Sequence, residues 1–104
     1  MAQTQIKALQ YEGEPLIEIK GHWDQGALDA LIKAFKKCLG NVKQRLFLKM
    51  SDLDYMDSAA LGVIMFNMRE LAKRDNKLVL IQPSPEMMDI LRTASLDRIL
   101  EIRE

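Results

Sequence analysis

The chain has 104 residues, of which 48% are hydrophobic and 29% charged, and its 15 basic side chains equal its 15 acidic ones. This length fits a single domain, which we expect to span residues 1–104. A net charge of zero argues against nucleic acid as the main partner, because binding phosphates requires an excess of Lys and Arg on one face.

The first part of the chain predicts a β-hairpin followed by a helix. Residues 4–11 alternate loosely between apolar and polar side chains and residues 16–20 alternate cleanly, with Glu12-Gly13-Glu14-Pro15 as the turn between them. Asp24 lies where its carboxylate can accept hydrogen bonds from the first free amides of a helix at about 25–39. Apolar residues recur in that helix at spacings of three and four, which predicts one buried face.

The rest of the chain alternates predicted strands with predicted helices. In chain order, these elements are a strand at 45–50, a helix from about 58 to 74, a strand at 77–81, a helix at 85–93 with Ser84 as its cap, and a strand at 99–102. This order predicts an α/β fold whose sheet is mixed but mostly parallel, with an N-terminal hairpin. Because the central strands are too apolar for both sides to face water, we expect helices to cover the sheet.

Metal, membrane and enzymatic chemistry have little support in the sequence. One Cys and one His cannot supply an ordinary zinc site, and we expect neither a metal nor another cofactor. No apolar stretch reaches the roughly 18 residues of a membrane span, and MAQTQIKALQ lacks the apolar region of a signal peptide, so we expect a cytoplasmic protein without membrane insertion. The Gly-rich phosphate-binding motifs and the Gly-x-Ser-x-Gly motif are absent, which favours a protein that is not an enzyme.

Ser58 is the residue that the pattern singles out for a function. It lies where a predicted helix begins, and the first N–H groups of a helix have no carbonyl partner within it. Its hydroxyl could cap the helix, as Ser commonly does. It could also be phosphorylated, which would add roughly −1.5 to −2 charges at the helix N-terminus. Both interpretations can hold together.

Two motifs precede or open the first two predicted helices. The first is Gly21-His22-Trp23-Asp24, and the second combines Asp57-Ser58 with Leu61-Gly62. They resemble the Gly-Glu-apolar-Asp and Asp-Ser-(Ser or Thr)-Gly-Leu-Gly motifs of the STAS domain of bacterial anti-sigma factor antagonists, also called anti-anti-sigma factors. Later segments, among them Ser84-Pro85, are similar to that family too, and the resemblance covers nearly the whole chain.

The resemblance implies a partner-switching module without catalytic activity. The unphosphorylated form would bind an anti-sigma factor, a serine kinase with a histidine-kinase-like ATPase fold, and so release the sigma factor. Phosphorylation at Ser58 would weaken this binding, and a serine phosphatase would restore it. We expect the free protein to be a monomer. The residues implied in partner binding are His22, Trp23, Asp24, Met56, Asp57, Ser58, Ala59 and Ala60.

Some positions depart from the family pattern and leave alternatives open. Ala59 and Ala60 replace a hydroxyl residue and a Gly, which favours a stiffer helix start. This departure keeps a second hypothesis open, a STAS-like structural or regulatory subunit of a membrane transport or sensory complex that is not phosphorylated. His22 replaces an acidic residue and either lies exposed in a loop or contacts a partner or phosphate. Trp23 is either buried beneath the first helix or exposed as an interface anchor.

Overall fold

The computed structural model describes residues 3–104, in which five β-strands and three α-helices alternate as the sequence predicts. In chain order these elements are β1 (Gln5–Tyr11), β2 (Glu14–Lys20), α1 (Leu28–Leu39), β3 (Arg45–Lys49), α2 (Ser58–Ala72), β4 (Lys77–Ile81), α3 (Pro85–Thr93) and β5 (Glu101–Arg103). Short 3-10 helices at Gln25–Ala27 and Leu96–Arg98 precede α1 and β5. The predicted bounds of β4 and α3 are confirmed to the residue, and α1 begins three residues later than expected.

The turn of the β1–β2 hairpin is tighter than the sequence predicts. Glu12 has φ +53° and Gly13 has φ +76°. Positive φ at both central residues is the geometry that lets a two-residue turn follow the twist of its strands. Glu14 and Pro15 therefore belong to β2, and the prediction of a four-residue turn is wrong.

The five strands lie in the sheet in the same order as in the chain. β1 is antiparallel to β2, whereas β2, β3, β4 and β5 are parallel to one another. This confirms the mixed, mostly parallel sheet with an N-terminal hairpin. Residues of α1, α2 and α3 all belong to one core cluster, so the three helices lie on the same face, as the usual right-handed connections stepping in one direction require.

Buried apolar residues form separate clusters on the two faces of the sheet. The cluster on the helix-covered face includes Ile17, Leu48 and Leu80 of the strands and Leu31, Ile64 and Leu91 of the helices. The opposite face carries Leu16, Phe47, Val79 and Ile81. Tyr11 meets Phe47 edge to face, with ring centroids 4.9 Å apart, and the Arg103 guanidinium lies 5.5 Å from the Phe47 centroid. Helices thus cover one face of the sheet, as predicted, whereas on the other face side chains such as Tyr11 and Arg103 shield the apolar residues from water.

A buried carboxylate joins the start of β2 to the loop that precedes β3. Glu14 accepts hydrogen bonds from the backbone N–H groups of Lys43 and Gln44 at 2.9 Å and of Arg45 at 2.8 Å. Burial raises the pKa of Glu14, but the three hydrogen bonds and the charge of Lys43 together outweigh it, and the pKa lies below its ordinary value of 4.5. The ionised carboxylate therefore stabilises the fold.

We expect Glu14→Gln to lower the free energy of unfolding at pH 7 by about 2 kcal/mol, because a neutral amide cannot replace three charge-assisted hydrogen bonds. The Glu14 contribution is complete above pH 4.5 and is lost as the pH falls through the depressed folded-state pKa. Urea unfolding between pH 7 and pH 3 should therefore show a shallower loss of stability on acidification in the variant. Glu12→Gln, at the exposed turn, is the control, and equal losses in both variants would contradict the prediction.

Candidate functional site

The predicted site residues lie on loops that leave the carboxyl ends of the parallel strands. Residues 21–24 follow β2, residues 50–57 follow β3, and residues 82–84 follow β4. In a parallel sheet these ends share one edge, which is where such sheets place their binding sites. The two motifs, about thirty residues apart in the sequence, therefore lie on neighbouring loops.

Gly21 joins the first two of these loops through its backbone. Its N–H donates to the Asp52 carbonyl at 2.8 Å, and its carbonyl accepts from the Asp54 N–H at 3.4 Å, so that Gly21 pairs with Leu53 as a parallel bridge. The φ of Gly21 is +94°, a conformation that side chains disfavour. The glycine of the first motif thus fixes the relative position of the two motifs.

Ser84 attaches the third loop to the same place. Its hydroxyl donates to the Leu53 carbonyl at 2.5 Å and accepts from the Met87 N–H at 3.1 Å, which caps α3. The predicted capping role of Ser84 is confirmed, and its bond to Leu53 also draws the start of α3 towards the other two loops.

His22 and Asp54 form a side-chain contact between the first two loops. The Nδ1 atom of His22 lies 3.1 Å and 3.2 Å from the two carboxylate oxygens of Asp54, and its ring stacks on Tyr55 with centroids 6.4 Å apart. Both polar side chains are 48% exposed, so the pair orients the loops more than it stabilises the fold. Sequence reasoning missed Asp54 and Tyr55, whose only signal was their place in a turn-rich segment.

Asp24 is exposed and begins the helical segment that leads into α1. Its Oδ1 accepts a hydrogen bond from the Gly26 N–H at 3.0 Å, which confirms the predicted capping role, although what it caps is the short 3-10 helix. Its own N–H donates to the Thr4 hydroxyl at 2.7 Å, and that hydroxyl donates to the His22 carbonyl at 2.7 Å. Thr4, the residue before β1, therefore also holds this loop in place.

Asp57, rather than Ser58, caps α2. The Oδ1 atom of Asp57 accepts from the Ala60 N–H at 2.9 Å, and Asp57 has an extended backbone with φ −86° and ψ 175°. The interpretation of Ser58 as the cap is wrong, because Asp57 occupies that position and Ser58 is the first helical residue. Ser58 is exposed, and no hydrogen bond within residues 3–104 involves its hydroxyl.

Three of the eight residues implied in partner binding are buried. The exposed fractions are 4% for Trp23, 2% for Met56 and 0% for Ala60, and all three pack in the cluster beneath the helices. Direct contact with a partner does not fit this burial, so these side chains support the surface from below. The indole N–H of Trp23 has no hydrogen-bond partner among the described residues.

The remaining five residues are exposed or half-buried: His22 and Asp24 on the loop after β2, and Asp57, Ser58 and Ala59 at the start of α2. No group of three or more His, Cys, Asp or Glu side chains within residues 3–104 is arranged to hold a metal ion. In the same part of the chain, no helix combines the length and apolar character that crossing a bilayer requires. At the start of α2, the exposed Ser58 hydroxyl lies next in the chain to the Asp57 carboxylate.

Comparison with known proteins shows which family the chain belongs to. Residues 5–104 match the family model of the STAS domain. The chain belongs to the STAS domain family. A Thermotoga maritima protein named as a candidate anti-sigma factor antagonist is 29% identical over 68 residues, which are 65% of this chain and 60% of that relative's own length.

Solved structures agree with this STAS fold. The crystal structure of an anti-sigma factor antagonist from Mycobacterium paratuberculosis has a TM-score of 0.84 and 15% identity, over 96% of this chain and 85% of that one. The phosphorylated form of the Bacillus cell fate determinant SpoIIAA has a TM-score of 0.70 and 22% identity, over 95% and 89% of the two chains. At these identities the likeness shows the fold, which confirms the architecture that the resemblance implied.

We expect Asp57→Ala to lower the free energy of unfolding of this STAS domain by about 1 kcal/mol, because the Ala60 N–H loses its capping acceptor. Asp52→Ala is the matched control, since Asp52 is an exposed aspartate of the same loop whose carboxylate is not the cap of α2. Urea unfolding monitored by circular dichroism measures both variants. A loss for Asp52→Ala as large as that for Asp57→Ala would show that the cap is not the cause.

Proposed function

We propose that this STAS domain is an anti-sigma factor antagonist that acts by partner switching. The unphosphorylated form binds an anti-sigma factor that is a serine kinase with a histidine-kinase-like ATPase fold, and so releases the sigma factor. Phosphorylation of Ser58 weakens this binding, and a serine phosphatase restores it. The domain itself acts by binding and not by catalysis. The named functions of the Thermotoga and Mycobacterium relatives support this assignment.

The observation that carries the proposal is the exposed Ser58 hydroxyl at the start of α2. Because Asp57 supplies the cap, a phosphate on Ser58 breaks no hydrogen bond on which the fold depends. The N–H groups of the first helical turn and the helix dipole favour an anion at this position. Phosphorylation therefore leaves the fold intact and changes the charge of the surface.

The carboxylates around Ser58 make this change in charge effective. Asp57 is its neighbour in the chain, and the bridge through Gly21 brings the loop that carries Asp24 to the loop that leads into α2. A phosphate adds roughly −1.5 to −2 charges to these carboxylates. A partner that fits the neutral hydroxyl must then desolvate the added charge when it binds. If this lowers the binding free energy by about 2.7 kcal/mol, the affinity falls about a hundredfold.

The two alanines after Ser58 leave the hydroxyl accessible. Ala60 is fully buried, so its methyl group contributes to the core and does not obstruct an approaching kinase. Ala59 is exposed and adds one methyl group beside Ser58. The departure from the family motif therefore alters the approach to Ser58 at a single exposed position.

The proposal is tested with the purified kinase-type anti-sigma factors of the organism that supplies the sequence. After incubation with ATP, intact-mass spectrometry should show one added phosphate on the native protein and none on Ser58→Ala. Calorimetry should show that Ser58→Ala binds like the native protein and that Ser58→Glu binds about a hundredfold more weakly. Ser95→Gly is the control, because it removes another exposed serine at a position whose φ of +59° suits glycine.

Two results would contradict the proposal. One is a phosphate that persists in Ser58→Ala, and the other is the absence of binding to every kinase tested. If Ser58 is never modified and the protein copurifies with an ATP-binding transport subunit, the chain is instead a structural or regulatory subunit of a membrane transport or sensory complex.

A further inference from the structure

An apolar groove begins immediately after Ser58 and runs along the surface between α1 and α2. We call it the α1–α2 groove. It has a volume of about 520 Å³ and is lined by Ile32, Lys36 and Leu39 of α1 and by Ala59, Gly62, Val63, Phe66, Asn67 and Glu70 of α2. The wall formed by α2 extends over about 16 Å, or three helical turns. The groove is therefore continuous with the proposed switch and has the length of a short helix.

Phe66 forms an exposed apolar edge of this groove. Its side chain is 59% exposed, more than any other large hydrophobic side chain within residues 3–104. Single exposed apolar residues are common on protein surfaces. Phe66, however, lines the same groove as the half-buried Ile32, Leu39 and Val63, so the apolar surface is contiguous.

Gly62 has no evident use within the chain itself. It lies inside α2, where glycine lowers helix stability relative to alanine. A Cβ atom built on Gly62 meets no other atom within 4 Å. No close contact within the described fold therefore requires a glycine at this position. The surface above Gly62 is open, and the missing side chain leaves room for another molecule to approach the backbone of α2 closely.

The charges beside the groove indicate the character of its occupant. On the α2 wall, Glu70 is paired with Lys73 at 2.8 Å. On the α1 wall, Lys36 forms no ion pair within residues 3–104. An occupant with an acidic side chain at this position would complement Lys36.

We propose that the α1–α2 groove receives an amphipathic helix of the anti-sigma partner. An apolar side chain of that helix packs against Phe66, its backbone approaches Gly62 closely, and an acidic side chain faces Lys36. A helix lying in an apolar groove is an established mode of peptide recognition. This inference rests on the proposed function and adds the contact that positions the partner beside Ser58.

Binding to the purified kinase-type anti-sigma factor is measured by calorimetry for matched pairs of variants. Gly62→Gln and Phe66→Ala should each weaken binding at least tenfold. Their controls are Arg69→Gln, on α2 outside the groove, and Ile99→Ala, an exposed apolar residue far along the chain; both should bind like the native protein. Gly62→Ala should also raise the Tm of the isolated chain, by about 4–8 °C.

Lys36→Glu should weaken binding several-fold, whereas Lys33→Glu, on α1 outside the groove, should not. The groove is excluded as the docking site if Ser58→Glu weakens binding while the groove variants bind like the native protein. If the native protein binds no kinase, the proposed function fails first, and the assigned occupant fails with it.

Discussion

The handedness of three successive crossovers determines the layout of this STAS domain. Because β2 to β5 are parallel and each lies beside the next, right-handed connections place α1, α2 and α3 on one face of the sheet. Because the strands are parallel, every helix also begins near the carboxyl ends of the strands. None of the three helices covers the opposite face, where Phe47 packs instead against Tyr11 and Arg103.

In the loops at the carboxyl ends of the parallel strands, different residues have the structural role and the proposed switching role. Gly21 joins the loops through its backbone, and Asp57 and Ser84 each accept a hydrogen bond from one free N–H group at the start of α2 and α3, respectively. Ser58 is thereby left exposed on a helix that is already capped. In the proposed switch this separation lets phosphorylation change the affinity for a partner without changing the fold.

The two proposals assign different functions to successive turns of α2. The first turn presents the Ser58 hydroxyl, where a charge can be added, and the following turns present the apolar wall with Gly62 and Phe66. A partner seated in the groove would extend over Ser58, so that a phosphate there meets the partner at the end of its contact. In this proposed arrangement the affinity comes from the constant apolar surface, and the regulation comes from the variable charge.

The sequence by itself determined what depends on neighbours in the chain. Apolar periodicity located the strands and helices, and Asp24 and Ser84 were recognised as caps because capping involves residues two or three positions away. It indicated Ser58 as the cap of α2, whereas the structure gives that role to Asp57, because both residue types cap well and the helix begins one residue earlier than a Ser58 cap would require. Only the tertiary structure buried Trp23 and Met56 and opened the α1–α2 groove, because burial depends on how distant elements pack.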